Sequence, residues 1–325
     1  MSNLPTYEDV CSAAAQIAGH AYRTPCLEHL ALSKYLGTKV RFKSEHLQQI
    51  GAFKFRGAFN AISRLSDEQL AEGILTFSSG NHAQAVAKAC QLLGAKATIV
   101  MPNNAPKLKL AGARRLGAKI ILYDPQTEDR EEIAARLNHD KQMTLIPPYN
   151  HPHVIAGQGT ATLEVLHDYP NTEQIFTPCG GGGLLSGSCL AAHGLKPDCE
   201  VFGVEPETAA DAKASLRTGS IVRIPYPDTI ADGVRTLALG DLTFAIIQTH
   251  VKDILVVSED AIKEAVSTMA KTMKQLVEPS AVLGLAALLE NPPALKSEVA
   301  IIVSGGNADI ETIQTICHQY AGIQL

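Results

Sequence analysis

The chain of 325 residues contains no tryptophan, no Cys-x-x-Cys pair and no run rich in lysine and arginine. No segment approaches ~18 consecutive apolar residues, so a membrane-spanning helix is not expected. The first ten residues, MSNLPTYEDV, lack the basic region and apolar core of a signal peptide, which predicts a cytoplasmic protein. The net charge of −5 gives no reason to expect nucleic acid or an anionic membrane as a partner.

What the chain does contain is typical of a soluble globular protein. Hydrophobic residues make up 46% and charged residues 19% of the sequence, enough for one large domain or two medium ones. The seven cysteines are scattered and odd in number, which predicts reduced, mostly buried thiols. The HPH segment at 151–153 has no cysteine or acidic residue at ligand spacing, so we interpret it as a loop.

Short runs rich in β-branched residues alternate with longer helical patterns. The runs lack strict polar and apolar alternation, as strands buried on both faces do. They cover 40–45, 74–79, 97–102, 119–124, 144–149, 174–179, 200–205, 253–258 and 299–306. Helical patterns cover 82–94, 105–117, 129–140 and 259–276. The alternation predicts an α/β protein with two open, twisted, mostly parallel sheets flanked by helices.

The strands fall into two series, which predicts two domains. Those between 74 and 149 form one compact series, and those from 174 to 306 form another. We therefore predict a large domain made of residues 1–72 and 151–325, with a small domain of residues 73–150 inserted between the two parts.

The segment GAFKFRGA, residues 51–58, carries Lys54 between Phe53 and Phe55. Its methylenes could lie on apolar surface while the charged tip stays in water, and the octapeptide alone favours this interpretation. Alternatively, desolvation lowers the pKa of the amine and leaves it free to attack a carbonyl group. The rest of the chain must decide between the two.

Three strands end in glycine or small polar residues, at the edge where open α/β sheets bind ligands. Ser78 to His82 precede a helix and could bind a substrate carboxylate, although plain helix capping by Ser79 or Asn81 is as good an explanation. Four glycines, Gly180 to Gly183, can direct their N–H groups at one phosphate. Ser304 could bond a ligand heteroatom or belong to a simple turn.

A dinucleotide site is an alternative explanation for the glycine run, because Glu205 follows about twenty residues later. The pattern G-x-G-x-x-G is not met, since Leu185 and Ser186 occupy the positions for its last glycine. A nicotinamide enzyme is therefore only weakly supported. A lysine in an apolar segment, a phosphate loop, an anion-binding helix start and a polar strand end together meet the needs of pyridoxal phosphate. With these loops present, we interpret Lys54 as the lysine that binds this cofactor.

Eight segments, spread in order over nearly the whole chain, resemble the serine racemase and serine/threonine dehydratase branch of the fold-type-II pyridoxal phosphate enzymes, the tryptophan synthase β family. They are SEHLQQIGAFKFRGAFNAI, TFSSGNHAQAVA, IPPYNHPHVIAGQGT, PCGGGGLLSG, VEPETAAD, TIADGV, VEPSAVLG and VSGGNADI. The resemblance implies a homodimer that eliminates water and ammonia from serine or threonine, giving a 2-keto acid, and that also racemises serine.

The resemblance also implies roles for individual residues. Lys54 forms an imine with pyridoxal 5'-phosphate and acts as a base on one face of the substrate Cα, while Ser79 stands on the opposite face. Ser304 faces the pyridine nitrogen. The remaining cofactor contacts implied are Phe53, Asn81, Gly180, Gly181, Gly182, Gly183 and Leu184. The residues implied to bind the substrate carboxylate are Ser79, Gly80, Asn81 and His82, with Arg130 as a closing contact.

Two accessory sites are implied in the same way. Glu205 and Asp211, with the carbonyl of Ala209, match a structural divalent-cation site, and oxygen ligands suit Mg²⁺, or Ca²⁺ or Mn²⁺. An exposed acidic loop is the alternative. Lys274, Glu278 and Asn307 stand where some racemases bind ATP as an allosteric effector between subunits.

The substrate stays open at this point. L-threo-3-hydroxyaspartate carries the same β-hydroxyl as serine, so a hydroxyaspartate dehydratase is an alternative. Its second carboxylate would need a cation, for which Arg130, Arg235 and Arg56 are candidates. Tyr149 departs from the asparagine of animal racemases, so their substrate preference does not carry over. A non-catalytic protein that binds amino acids or nucleotides is a more distant alternative.

Overall fold

The computed structural model describes residues 4–78, 80–105, 107–124, 126–139 and 142–325, with the side chains of residues 107, 108, 130 and 131 left out. Within these residues, helices and strands alternate along most of the chain, and the predicted α/β class is confirmed. No helix in the described part of the chain is both long and apolar enough to cross a membrane. The seven cysteines carry free thiols.

A six-stranded sheet forms the larger layer, in the order β1-β2-β10-β7-β8-β9. β1 pairs with β2 in antiparallel fashion, and the other neighbours are parallel. All six residues of β10 are buried, as expected of a central strand covered on both faces. The strands are β1 Cys26–Glu28, β2 Lys39–Ser44, β7 Gln174–Pro178, β8 Glu200–Pro206, β9 Asp253–Val257 and β10 Glu298–Val303.

A four-stranded parallel sheet forms the smaller layer, in the order β5-β4-β3-β6. Its strands are β3 Ile74–Phe77, β4 Ala97–Pro102, β5 Lys119–Tyr123 and β6 Thr144–Leu145. All four lie within the segment predicted to be the inserted domain. The division into two domains itself stays a prediction.

Helices connect and cover both sheets. Before β7 they are α1 Tyr7–Gln16, α2 Leu30–Leu36, α3 Lys54–Ile62, α4 Asp67–Glu72, α5 Asn81–Leu93, α6 Lys107–Arg115, α7 Arg130–Asn138 and α8 Pro152–Asp168. After β7 they are α9 Gly183–Leu195, α10 Asp211–Thr218, α11 Asp241–His250, α12 Glu259–Lys271, α13 Leu283–Glu290 and α14 Ile310–Gln319.

Each predicted strand run contains an observed strand, but some ends differ. The run 144–149 keeps only Thr144 and Leu145 as strand, because Pro147 and Pro148 cannot donate a ladder hydrogen bond. The predicted helix 259–276 ends at Lys271, and Lys274 has a left-handed backbone with φ of 57°. The short edge strand β1 was not predicted.

The helix that begins at Lys54 is held by close contact with α8. A Cβ added at Gly157 would lie 2.6 Å from the Cα of Gly57, so both positions require glycine. The amide oxygen of Gln158 also accepts a hydrogen bond from the N–H of Gly57, at 3.2 Å. This contact fixes the start of α3 relative to the larger sheet, and with it the position of Lys54.

Candidate active site

A cavity of about 160 Å³ is lined by segments from both parts of the structure. The start of α3, the residues after β3, the loop between β7 and α9 and the residues after β10 all contribute side chains or backbone. These are the strand ends that the sequence analysis singled out, together with parts of the segments 232–236 and 278–280, the first of which carries the candidate Arg235. The cavity is therefore the candidate active site.

Lys54 is the first residue of α3 and its side chain lines the cavity. Its Nζ donates a hydrogen bond to the carbonyl oxygen of Pro148 at 2.8 Å. Burial lowers the pKa of this amine to about 8, although the charge of Glu278 acts in the opposite direction. A cation at the positive end of a helix is also disfavoured. The structure thus supports a lysine that loses its proton easily, rather than one with its charged tip in water.

The start of α3 is tied to the end of β10 by backbone contacts. The N–H of Phe53 donates to the carbonyl oxygen of Ser304 at 3.0 Å, and Ala52 forms a bridge with Gly305. Ser304 is 3% exposed and lines the cavity. The predicted cofactor lysine and the predicted partner of the ring nitrogen therefore share one wall of the cavity.

The glycine loop lies at the start of α9. Gly180 to Gly183 and Leu184 all line the cavity, and Gly182 has a left-handed backbone with φ of 88°. A Cβ added at Gly181 would lie 2.3 Å from the ring of Tyr149, so a larger residue does not fit. Free N–H groups at a helix start form an anion site. This geometry fits the phosphate-binding role predicted for the loop.

Asn81 begins α5, and both the nitrogen and the oxygen of its side-chain amide make hydrogen bonds. Its Nδ2 donates to Glu278 Oε1 at 2.8 Å, and its Oδ1 accepts from Asn307 Nδ2 at 2.9 Å. Asn307 Nδ2 also donates to the carbonyl oxygen of Ile50. Glu278 is 2% exposed, and burial raises its pKa to about 7. The prediction that Glu278 serves an intersubunit nucleotide site therefore needs correction, because this carboxyl group lies in the cavity wall beside Asn81.

The residues predicted to bind the substrate carboxylate are only partly described. Ser79, the predicted second base, lies outside the described residues. Gly80 lines the cavity, and its N–H donates to Ser78 Oγ at 3.2 Å. The His82 Nε2 lies 3.0 Å from the carbonyl oxygen of Ile146, so this nitrogen carries the proton. Burial lowers the pKa of His82 to about 3, and the neutral ring cannot offer a positive charge to a carboxylate.

The three candidate arginines differ in their surroundings. Arg56 is fully buried and bonds to Glu45 and Glu164, so its candidacy as a substrate contact needs correction. Arg130 begins α7, but its side chain lies outside what the structure describes. Arg235 lines the cavity.

The sequence analysis did not identify Lys109 and Asp232. Lys109 extends from α6, is 4% exposed and forms an ion pair with Asp232 across the cavity. Lys109 lies in the helical pattern 105–117 and Asp232 in the segment TIADGV, but no sequence pattern links the two, since they are 123 positions apart. Only the tertiary structure brings them together.

Glu205 and Asp211 meet at the end of β8, as predicted. Glu205 accepts from the N–H groups of Ala212 and Lys213 at 2.9 and 3.0 Å. Among the described residues, both carboxylate oxygens of Asp211 are buried and make no hydrogen bond of ordinary length, although the backbone N–H groups of Asp211 and Leu239 partly offset the rise that burial causes in its pKa. Burial raises the pKa of Glu205 to about 8, with the neighbouring Asp211 adding to the shift. The alternative of an exposed acidic loop does not hold, because both side chains are fully buried.

Comparison with known proteins agrees with this geometry. A family model described as pyridoxal-phosphate dependent enzyme matches residues 17–305. The chain is 50% identical over 314 residues to L-threo-3-hydroxyaspartate ammonia-lyase of Saccharomyces cerevisiae, covering 96% of each protein. It is 48% identical over 309 residues to serine racemase of Schizosaccharomyces pombe, covering 95% of this chain and 96% of that protein. The solved structure of maize serine racemase superimposes with a TM-score of 0.93 at 39% identity, covering 98% of each chain.

Proposed function

Because this chain belongs to the family of pyridoxal-phosphate dependent enzymes, we propose that it eliminates water from β-hydroxy-α-amino acids such as serine and threonine, and that it racemises serine. Elimination of water leaves an aminoacrylate, whose hydrolysis by water gives a 2-keto acid and ammonia. The observation that carries the proposal is the buried Lys54 amine, which lines the same cavity as the glycine loop. The names of the ammonia-lyase and racemase relatives support the same pair of reactions.

The residues present fit pyridoxal phosphate. The loop from Gly180 to Leu184 forms a cradle that a side chain at Gly181 would fill, and the start of α9 suits a phosphate. Lys54 would attach the cofactor through its amine. Asn81 and Phe53 would contact its ring, and Ser304 would face its nitrogen. Bound at Lys54, the cofactor supplies an electron sink for the charge that develops at the substrate Cα.

The side chains of the chain would then move the protons. Lys54, once released, would take the proton from Cα, because its lowered pKa lets the neutral amine act as a base near neutral pH. Gly80, Asn81 and His82 would orient the substrate carboxylate at the start of α5, because the first turn of a helix has N–H groups without partners inside the helix. Loss of the β-hydroxyl completes the elimination.

Racemisation needs a second proton donor on the opposite face of Cα. We assign this role to Ser79, by its place in the segment TFSSGNHAQAVA. A proton removed by Lys54 and returned from Ser79 inverts the centre. Replacement of Ser79 by alanine should therefore abolish D-serine formation and leave pyruvate formation from L-serine.

Glu205 and Asp211 would hold a divalent cation, with the carbonyl oxygen of Ala209 as a third ligand. The buried carboxylate oxygens of Asp211, which make no hydrogen bond of ordinary length, support this assignment, because buried carboxylates are normally paired or bound to metal. Oxygen ligands suit Mg²⁺, and Ca²⁺ or Mn²⁺ are the alternatives. The ion would link the end of β8 to α10 and stabilise the fold.

The proposal includes a homodimer in the cytoplasm. The homodimer is what the resemblance to the serine racemase and serine/threonine dehydratase branch implies. The free thiols fit a reducing compartment. An ATP effector is not included, because the amide of Asn307 is already bonded to Asn81 and Ile50.

The test is a product assay on the purified protein with pyridoxal phosphate and Mg²⁺. L-serine and L-threonine are supplied separately, and keto acid and D-enantiomer are measured. Lys54→Ala should lose turnover together with the visible absorbance of the attached cofactor, whereas the control Lys88→Ala should keep both. Turnover of serine by Lys54→Ala would refute the proposal. A binding protein without catalysis would give neither product.

A further inference from the structure

The cations that line the cavity are not equally available to a ligand. Among the described side chains they are Lys54, Lys109 and Arg235. Lys54 serves the cofactor in the proposed reaction. Lys109 is 4% exposed, and its ion pair with Asp232 cancels the charge of both groups. Arg235 is therefore the remaining source of positive charge in the described wall.

The guanidinium of Arg235 is held by a neutral group. Its Nε and Nη2 donate to the carbonyl oxygen of Thr229, at 2.9 and 2.5 Å. No carboxylate in the described part of the chain pairs with it, so its charge stays uncompensated. The Nη1 donors take no part in these two bonds. An arginine anchored on one side in this way can present its other donors to an anion.

The loop that carries Arg235 is fixed by its own hydrogen bonds. The N–H of Gly233 donates to Ser280 Oγ at 2.8 Å, and the N–H of Ile230 donates to Glu259 Oε2 at 3.0 Å. Anchors on both sides of the loop limit the positions that the guanidinium can take. Little ordering entropy is then lost when a ligand binds, which favours a specific contact.

Lys109 and its partner Asp232 lie beside the start of α5, where the α-carboxylate of the substrate is predicted to bind. A Cβ added at Gly80 would lie 3.8 Å from Lys109 Nζ, so this ion pair borders the segment predicted to bind the α-carboxylate. Asp232 would repel a second carboxylate if Lys109 did not compensate its charge. With that charge compensated, Arg235 remains as a cation of the cavity wall without a paired carboxylate in the described part of the chain.

We propose that Arg235 binds the second carboxylate of a dicarboxylic β-hydroxy-α-amino acid, so that the enzyme prefers L-threo-3-hydroxyaspartate to serine. This inference rests on the proposed elimination reaction, and it names a substrate class and the residue that selects it. Arg56, which the sequence placed on an equal footing, is excluded by its buried ion pairs. Serine has no second carboxylate to pair with Arg235, so the guanidinium would stay hydrated when serine is bound.

The test compares kcat/KM for L-threo-3-hydroxyaspartate and L-serine in the unaltered enzyme and three variants. Arg235→Met should lower the value for hydroxyaspartate about 10- to 100-fold, the range of a charge-assisted hydrogen bond, and change the value for serine less than about 3-fold. Arg235→Lys keeps the charge but loses the forked geometry, so it should restore part of the preference. Arg217→Met, which removes an exposed arginine from the last turn of α10, is the matched control and should change neither value.

A binding measurement separates recognition from turnover. L-aspartate and L-alanine lack a β-hydroxyl and differ by the carboxylate in question. Their dissociation constants can be measured from the change in cofactor absorbance. The unaltered enzyme should bind L-aspartate more tightly, and Arg235→Met should bring the ratio of the two constants to about one.

The outcomes distinguish this inference from the proposed function. An equal fall for both substrates in Arg235→Met, without rescue by lysine, would overturn the inference and leave the elimination reaction standing. So would an unaltered enzyme that converts serine but not hydroxyaspartate. An unaltered enzyme that converts neither would overturn both.

Discussion

The change Arg56→Met tests whether a buried ionic cluster holds the helix that carries Lys54. Arg56 is fully buried, and its guanidinium makes four contacts with carboxylate oxygens. Nε and Nη2 donate to Glu45, each at 2.8 Å, and Nη1 and Nη2 donate to Glu164 at 2.7 and 2.9 Å. Lys43 adds a second cation through its contact with Glu164 at 2.5 Å. The cluster thus has two cations and two carboxylates and is neutral overall.

The expected loss of unfolding free energy follows from this neutrality, because Arg56→Met leaves the cluster with one cation and two carboxylates. Burial alone would raise the pKa of Glu45, but the charge and hydrogen bonds of Arg56 outweigh it and lower the pKa. Without Arg56, the buried Glu45 would lose its paired cation, and the partly buried Glu164 would keep only its contact with Lys43. Removing one partner of a buried ion pair costs about 3–5 kcal/mol of unfolding free energy. This is a large part of the roughly 5–15 kcal/mol that stabilises a typical protein.

The assay is urea unfolding at saturating pyridoxal phosphate, with Arg23→Met as the control. Arg23 pairs with Asp168 at 2.5 Å, but the two side chains are 58% and 41% exposed, so their pair is worth at most about 1 kcal/mol. The double variant Arg56→Met/Glu45→Gln should recover part of the loss, because it removes one uncompensated charge. If Arg56→Met cost no more than Arg23→Met, the cluster would not stabilise α3 as argued.

Three further predictions concern the cavity. Burial lowers the pKa of His82 to about 3, so its neutral form contributes stability that is lost as pH falls from about 6.5 toward 3. His82→Gln should therefore reduce the slope of the unfolding free energy against pH, between about pH 7 and about pH 5, by up to ~1.4 kcal/mol per pH unit. Gly181→Ala places a Cβ 2.3 Å from the Tyr149 ring. If this steric clash costs about 1–3 kcal/mol of binding free energy, the affinity for pyridoxal phosphate should fall about 5- to 150-fold in equilibrium titration. An unchanged affinity would contradict the assignment of the glycine loop as the phosphate site. Attachment of the cofactor to the protein without cofactor needs the neutral Lys54 amine, so its rate should rise with pH and level off above about 8 in stopped-flow absorbance, and a rate independent of pH would count against the lowered pKa.

The fold was largely predictable because its strands are local signals. A run such as ATIVMP at 97–102 is buried on both faces, and its composition alone marks it. Helices with apolar residues all round are harder to predict, since they show no polar face. α13, LGLAALLE, was missed for this reason, because most of its residues are buried. The edge strand β1 has three residues and pairs through tertiary contact, so no local pattern could identify it.

The candidate site likewise contains residues that a local sequence pattern marks and residues that only the tertiary structure brings together. The glycine run, Lys54 and Ser304 stand at strand or helix ends with unusual local composition, and the structure places them on one cavity. Pairs such as Lys109 with Asp232 depend on which side chains face each other across the fold. Sequence separation hides such pairs, and for the same reason the sequence analysis assigns Glu278 to a nucleotide site between subunits although it lies beside Asn81.

Two basic residues two positions apart on α3 show how the fold separates their roles. Successive residues of an α-helix turn by about 100°, so Lys54 and Arg56 point to nearly opposite sides. One side meets the cavity, where burial without a paired carboxylate lowers the pKa of the Lys54 amine. The other side meets Glu45 and Glu164, which raise the pKa of the Arg56 guanidinium and keep it charged. Exchanging the two residues would give neither function, because arginine cannot lose its proton and lysine cannot make four carboxylate contacts in a planar fork. The segment KFR therefore combines a reactive amine with the anchor that holds it in place.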